Sequence, residues 1–196
     1  MIIAVDLDDT LADSLASFIE FYNGNHKEKL KHEDFTAYTL NEIMGMPKEE
    51  ENKLLEEFDN SRYYDEIKPL KEAVEAISKL SEKHKIIIIT SRPEKFEKKT
   101  REWVQKNFPK IKEIIFTRKE YSVKHIKKCD ICKEIKADIL IDDNLAYALD
   151  CEKAGVSAIL IDYPWNQNNN LGKLITRVKS WDEIIKVIER MENKRD

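Results

Sequence analysis

Met1-Ile2-Ile3-Ala4-Val5-Asp6-Leu7-Asp8-Asp9-Thr10 is the stretch that decides the fold. Its apolar start, without polar alternation, reads as a strand buried on both faces of a parallel sheet. That strand delivers Asp6 and Asp8, one residue apart, at its C-terminal end. Carboxylates buried so close together repel, so they must protonate or meet a cation. A divalent metal would compensate the charge and bring a phosphate with it. The first ten residues therefore raise phosphoryl chemistry.

Working outward, residues 11–22 predict a helix with Leu11, Leu15, Phe18, Ile19 and Tyr22 on one face. From Asn23 to Ile67 the chain is charged, aromatic and helical in pattern, with no strand candidate. Gly45-Met46-Pro47 breaks it, and Pro47 reads as the first turn of a new helix. Residues 14–67 thus form a helical cap inserted into a core made of 1–13 and 68–196. From Pro69 on, strands and helices alternate. Strands are expected over 86–90, 114–117, 138–141 and 156–161. Helices are expected over 71–84, 96–108, 129–135, 144–154 (stopping at Gly155) and 181–191, the last capped by Ser180. This order predicts an α/β fold, a parallel sheet with helices on both faces. Residues 166–170 read as an exposed polar loop.

The 196 residues suit one ordinary domain with a modest insertion. Hydrophobic content of 41% supports a real core, while 37% charged residues of mixed sign sum to a net charge of only −4. That balance gives no case for a nucleic-acid polymer or a membrane surface as partner. The N-terminal apolar stretch is too short for a signal peptide, and no segment approaches a membrane span. Cys129, Cys132 and Cys151 make no disulfide framework, so a reduced cytoplasmic location is expected. Cys129-Asp130-Ile131-Cys132 reads as a buried helix face, and His26, His32 and His84 as surface residues.

Ligands of open α/β sheets bind beyond the carboxyl ends of the strands. The first strand ends in Asp6 and Asp8, the second in Thr90-Ser91-Arg92-Pro93, and the fourth in Asp142-Asp143. An all-oxygen cluster suits Mg²⁺, which keeps several waters and takes a phosphate oxygen. Neutralised in this way, a phosphate can be approached by a carboxylate nucleophile. A second carboxylate near the leaving oxygen can donate a proton and later activate water.

With these residues in view, Asp6-Leu7-Asp8-Asp9-Thr10-Leu11 resembles motif I of the haloacid dehalogenase (HAD) superfamily of aspartate-nucleophile phosphatases. Ile86 to Thr90 resembles motif II, and Ile141-Asp142-Asp143 resembles motif IV. The helical insertion is similar to that superfamily's type 1 cap, on a Rossmann-like core. The resemblance requires a motif III lysine. Lys128, at a helix start, fits best, with Lys127 next. Many members carry Gly where this chain has Asp9.

Within the superfamily, Asp6 to Asp13, the segment Tyr64 to Ala73, Thr90-Ser91-Arg92-Pro93, Asp142-Asp143, Tyr163-Pro164-Trp165-Asn166 and Arg177 to Trp181 are together similar to the cytosolic type C 5′(3′)-deoxyribonucleotidases. The resemblance implies a Mg²⁺-dependent hydrolase acting on a nucleoside monophosphate. Asp6 would be nucleophile and metal ligand, and Asp8 acid and base, with its carbonyl on the metal. Thr90 and Lys128 would hold phosphate oxygens. Asp142 would bind the metal, with Asp143 in support. Ser91, Arg92, Phe18, Tyr22 and Tyr38 would face the substrate, and Trp165 would be structural or wall the site. A homodimer is compatible with this reading. The alternatives are a sugar-phosphate or other metabolite phosphatase, and a catalytically silent phosphate-binding protein on the same fold.

Overall fold

A computed structural model of the chain describes residues 1–167 and 170–193. Its strands are β1 (Ile2–Val5), β2 (Lys85–Pro93), β3 (Glu113–Arg118), β4 (Ile139–Asp142), β5 (Ser157–Ile161) and β6 (Ile175–Val178). They form one sheet in the order β3-β2-β1-β4-β5-β6, and every pairing is parallel. The order reverses around β1, where Ile3 lies between Ile86 of β2 and Ile139 of β4. Such a switch point opens a crevice at the carboxyl ends, which is where Asp6 and Asp8 emerge.

Side chains alternate across the sheet. Ile3, Val5, Ile88 and Ile141 pack on one face with α5 (Lys71–Leu80), α6 (Glu97–Asn107) and α9 (Trp181–Glu192). Ala4, Ile89 and Leu140 face the other side, against α7 (Lys128–Glu134) and Cys151 of α8 (Leu145–Lys153). Both faces are covered, which explains the unbroken apolar strands. Cys129 and Cys132 are buried in that second layer, as expected of a helix face.

Between β1 and α5 lie α1 (Ser14–Asn25), α2 (Leu40–Met44), α3 (Lys48–Asp59) and α4 (Arg62–Asp65). They gather around their own cluster, which includes Leu15, Phe18, Phe21, Phe35, Leu54 and Phe58. The chain enters and leaves this segment side by side. Asp13 N donates to Lys68 O (2.9 Å) and Leu70 N to Leu11 O (2.8 Å). This paired neck ties the insertion to the core just beyond β1.

Several expectations change. β6 went unrecognised, because Ile-Thr-Arg-Val is short and follows a polar loop. Helix α1 begins at Ser14 rather than residue 11, since Thr10 to Ala12 fold into the turn and neck. Pro47 stands just before α3 instead of inside its first turn. His84 is buried, with Nδ1 3.4 Å from the Met1 amine and Nε2 3.5 Å from Glu192. Asn166 is buried too, donating to Ile161 O and Asp143 O, both at 2.7 Å. Residues 168 and 169 of the same loop lie outside the described residues. Among the described residues no helix is long and apolar enough to cross a membrane.

Ile88 is fully buried where the sheet meets α5. Ile88→Ala is expected to cost about 2–5 kcal/mol of unfolding free energy and Ile88→Val about 0.5–1.5 kcal/mol, read by urea denaturation. Equal losses would contradict this packing.

Candidate active site

Asp6 stands one residue beyond β1, and its N–H extends the ladder to Ile141 O at 2.9 Å. The chain then turns sharply at Asp9, whose φ of 53° lies in the left-handed region. Glycine suits that conformation best, and Asp tolerates it because its side chain bonds locally. Here the Asp9 carboxylate accepts from Leu15 N at 2.9 Å, in the first turn of α1. The departure from Gly thus secures the start of the cap's first helix.

Lys128, the first residue of α7, is 1% exposed. Its ammonium lies 2.6 Å from Asp6 Oδ1 and 2.8 Å from Asp142 Oδ2, and 4.6 Å from the centre of the Tyr147 ring. Lys127 points outward to Asp150 at 3.0 Å. Of the two lysines, Lys128 is the one that reaches the strand-end carboxylates. Asp142 Oδ1 accepts from Asn144 N at 2.8 Å, so both oxygens of Asp142 have partners. Asp143 differs. Its Oδ2 accepts from Trp165 Nε1 at 2.8 Å, while its buried Oδ1 has none.

Oxygens of Asp6, Asp142 and Asp143 lie within 4.8 Å of one another, all three residues buried. One ammonium faces three carboxylates. Burial pushes Asp6 up to about 7, with Asp142 and Asp8 adding to the rise and Lys128 opposing it. Burial, then Asp142 and Asp6, hold Asp143 well above the usual carboxylate range. A hard divalent cation fits this all-oxygen set, and the orphaned Asp143 Oδ1 is the atom that most needs one. Asp142, the expected ligand, belongs to the same cluster, with its two oxygens already accepting from Lys128 and Asn144, whereas Asp143 keeps one oxygen without a partner.

Asp8 sits in a different field. Arg92 from the end of β2 grips it, Nε to both oxygens (3.0 and 3.1 Å) and Nη2 to Oδ1 (2.6 Å), and the Ser14 hydroxyl donates to it. Burial raises the Asp8 pKa, but Arg92 and Ser14 outweigh it and hold the carboxyl below its usual value. Arg92 Nη1 also reaches the Tyr64 hydroxyl of the cap at 3.1 Å. Arg92 lines the cavity, as expected of a substrate-facing residue, and it is at the same time ion-paired with Asp8. Thr90 is fully buried, and its Oγ1 accepts from Arg92 N at 3.1 Å, leaving the hydroxyl proton free to donate.

Above this floor opens a cavity of about 720 Å³ between the core and the helical segment. Asp8, Asp143, Ser91 and Arg92 line it from the core. Phe18, Phe35, Leu55 and Phe58 line it from the cap, and Tyr38 joins them half exposed at the rim. Tyr22 does not line it. That ring stacks on His26, with centroids 4.1 Å apart, inside the cap cluster. Trp165 walls the cavity and binds Asp143 together. Ser14, Asp59, Tyr64 and Tyr147 also line it and were not foreseen. For Tyr147, the signal was its place on the helix directly after Asp142-Asp143.

Removing Lys128 strands two buried carboxylates. In chelator, Lys128→Met is expected to lose about 3–5 kcal/mol by urea denaturation, whereas Lys127→Met leaves the midpoint unchanged. Equal shifts in the two variants would contradict the burial of Lys128.

The chain matches the model of the 5′ nucleotidase, deoxy (pyrimidine), cytosolic type C protein family over residues 1–194. It is similar to a nucleotidase of Clostridium acetobutylicum, with 29% identity over 98% of this chain and 95% of the other. It also resembles a 5′(3′)-deoxyribonucleotidase of Bacillus subtilis, with 26% identity covering 93% and 95%. Among solved structures, a haloacid dehalogenase-like protein of Agrobacterium tumefaciens superposes with a TM-score of 0.68 at 16% identity, covering 97% of this chain and 98% of that one. The motif strands, the buried acids and these matches agree: the chain shares the fold of haloacid dehalogenase-like proteins and belongs to the cytosolic type C 5′ nucleotidase family, a family of phosphoric monoester hydrolases.

Proposed function

We propose that this protein is a Mg²⁺-dependent nucleotidase that hydrolyses (deoxy)nucleoside monophosphates through a phosphorylated Asp6. The observation that carries the reading is the buried pairing of Asp6 with Lys128 at 2.6 Å, beside Asp8 and Asp143, which line a cavity walled by aromatic cap residues. The floor provides the chemistry, and Phe18, Phe35 and Phe58 provide an apolar wall for a base.

Asp6, Asp143 and the backbone carbonyl of Asp8 would hold the metal, with Asp142 fixing Lys128 beside them. When bound, Mg²⁺ neutralises phosphate charge so that an anionic nucleophile can approach. Asp6 attacks phosphorus, and the P–O bond to the ester oxygen breaks. That oxygen leaves with a proton from Asp8. Water then attacks the Asp6 phosphoryl group, gives its proton to Asp8, and releases phosphate and Asp6. Lys128 and the Thr90 hydroxyl hold the phosphoryl oxygens as charge develops.

Paired with Arg92, the resting Asp8 is ionised, which suits the base role in the second step. The acid role needs a proton. An incoming phosphate dianion raises the Asp8 pKa and competes with it for Arg92. Because Arg92 also bonds Tyr64, the protonation of Asp8 is tied to the cap, whose closure excludes water from the first step.

Asp6→Asn is expected to abolish Mg²⁺-dependent phosphate release, and a panel of nucleoside monophosphates is expected to exceed sugar phosphates in kcat/KM. Sugar phosphates leading the panel would overturn the substrate class and leave the phosphatase. Near-wild-type turnover by Asp6→Asn would overturn the mechanism.

A further inference from the structure

The acids that line the cavity have their own partners. Arg92 and Ser14 bind Asp8, and Leu15 N binds Asp9. Lys48 pairs with Glu51, and the Tyr121 hydroxyl donates to Asp59 at 2.8 Å. Asp143 is held by Trp165 and belongs to the metal centre.

The cations across the cavity are not matched in this way. Arg118 ends β3 and so stands among the carboxyl ends of the strands, lining the same cavity as Ser91. Among the described residues no acid lies within ion-pair distance of it. Its Nε is buried without a hydrogen-bond partner, and its guanidinium lies 5.8 Å from the Tyr121 ring centre. Burying a guanidinium N–H unpaired is costly, and a guanidinium is shaped to bind a phosphate with two parallel bonds. Lys124 and His125 follow on the loop after β3 and line the cavity beside it, likewise with no acid in ion-pair reach among the described residues. Burial, then Arg118, Lys128, Lys124 and Lys127, all work against a charge on His125.

Tyr147 stands between this cluster and the reacting centre. Lys128 Nζ lies 4.6 Å from its ring centre, and the His125 ring lies 5.9 Å from the same ring on a T-shaped approach. The Tyr147 hydroxyl meets Ser91 Oγ at 3.3 Å. His125 of this cluster and Lys128 of the reacting centre therefore approach the same aromatic ring, so both groups stand around one end of the cavity.

We infer that Arg118, with Lys124 and His125, forms a second phosphate subsite, and that the preferred substrate carries a second phosphate on its leaving alcohol: in the nucleoside series, a 3′,5′-bisphosphate. This rests on the nucleotidase reading above and narrows its substrate. Only the phosphate at Asp6 is cleaved. Water supplies one oxygen to the released phosphate and one proton to the ester oxygen, and the second phosphate leaves intact on the product.

The test compares thymidine 3′,5′-bisphosphate with thymidine 5′- and 3′-monophosphate. It uses phosphate release in the wild type and calorimetric binding to Asp6→Asn. The expected wild-type preference for the bisphosphate is about 10- to 100-fold in kcat/KM, the size of one or two charge-assisted hydrogen bonds. Arg118→Met should collapse that ratio toward one, and the exposed Lys124→Met should lower it. Asp6→Asn should bind the bisphosphate more tightly than either monophosphate, and adding Arg118→Met should remove that difference. If the wild type hydrolyses all three equally, or Arg118→Met leaves the ratio intact, the subsite is overturned and the nucleotidase stands. If no nucleotide is hydrolysed, the nucleotidase reading falls, and equal binding of mono- and bisphosphate would overturn the subsite separately.

Discussion

The rest of the site depends on one buried ion cluster, the Lys128 ammonium held between Asp6 and Asp142. Each of the three groups would be expensive alone in the interior, and together they are tolerable because the ion pairs are close and Asn144 N satisfies the second oxygen of Asp142. Asp6 follows β1 directly, Asp142 ends β4 and Lys128 begins α7, so the cluster stitches the centre of the sheet to the helix that covers it. It also leaves a charge deficit. Three carboxylates share one lysine, and the unpartnered oxygen of Asp143 marks where the missing positive charge belongs.

A second network links this floor to the cap. Arg92 is nearly fully buried, binds Asp8 on one edge and the Tyr64 hydroxyl on the other, and lies over the Tyr64 ring at 4.7 Å. The two networks give two neighbouring aspartates opposite electrostatics. Burial raises Asp6, whereas Arg92 and Ser14 hold Asp8 down. Two groups pushed apart in this way are suited to different roles in one reaction. Trp165 makes a third link, since its indole fixes Asp143 while its ring contacts the cap cluster and lies 6.2 Å from His32.

The parallel sheet and the strand-end acids were legible in the sequence because buried strands are written as unbroken apolar runs and the acids follow them directly. Lys128 was legible only in part: six lysines lie between Lys119 and Lys136, and burial, which sequence does not display, selects one of them. The sequence could not divide labour between Asp142 and Asp143, because that depends on Lys128 and Trp165 arriving from distant segments. Tyr22 shares a helix face with Phe18, yet it turns into the cap cluster while Phe18 reaches the cavity. β6 was hidden for a related reason. Its burial comes from pairing with β5 at the sheet edge, and its four residues carry too little pattern to show it.

The most direct test of the proposed chemistry is acid quenching of the Mg²⁺-loaded enzyme during turnover of a ³²P-labelled nucleoside monophosphate, followed by peptide mapping. The account predicts an acid-stable, alkali-labile label confined to the peptide that contains Asp6 and absent from Asp6→Asn. Phosphate release at the wild-type rate with no label on that peptide, or with label on another side chain, would contradict it.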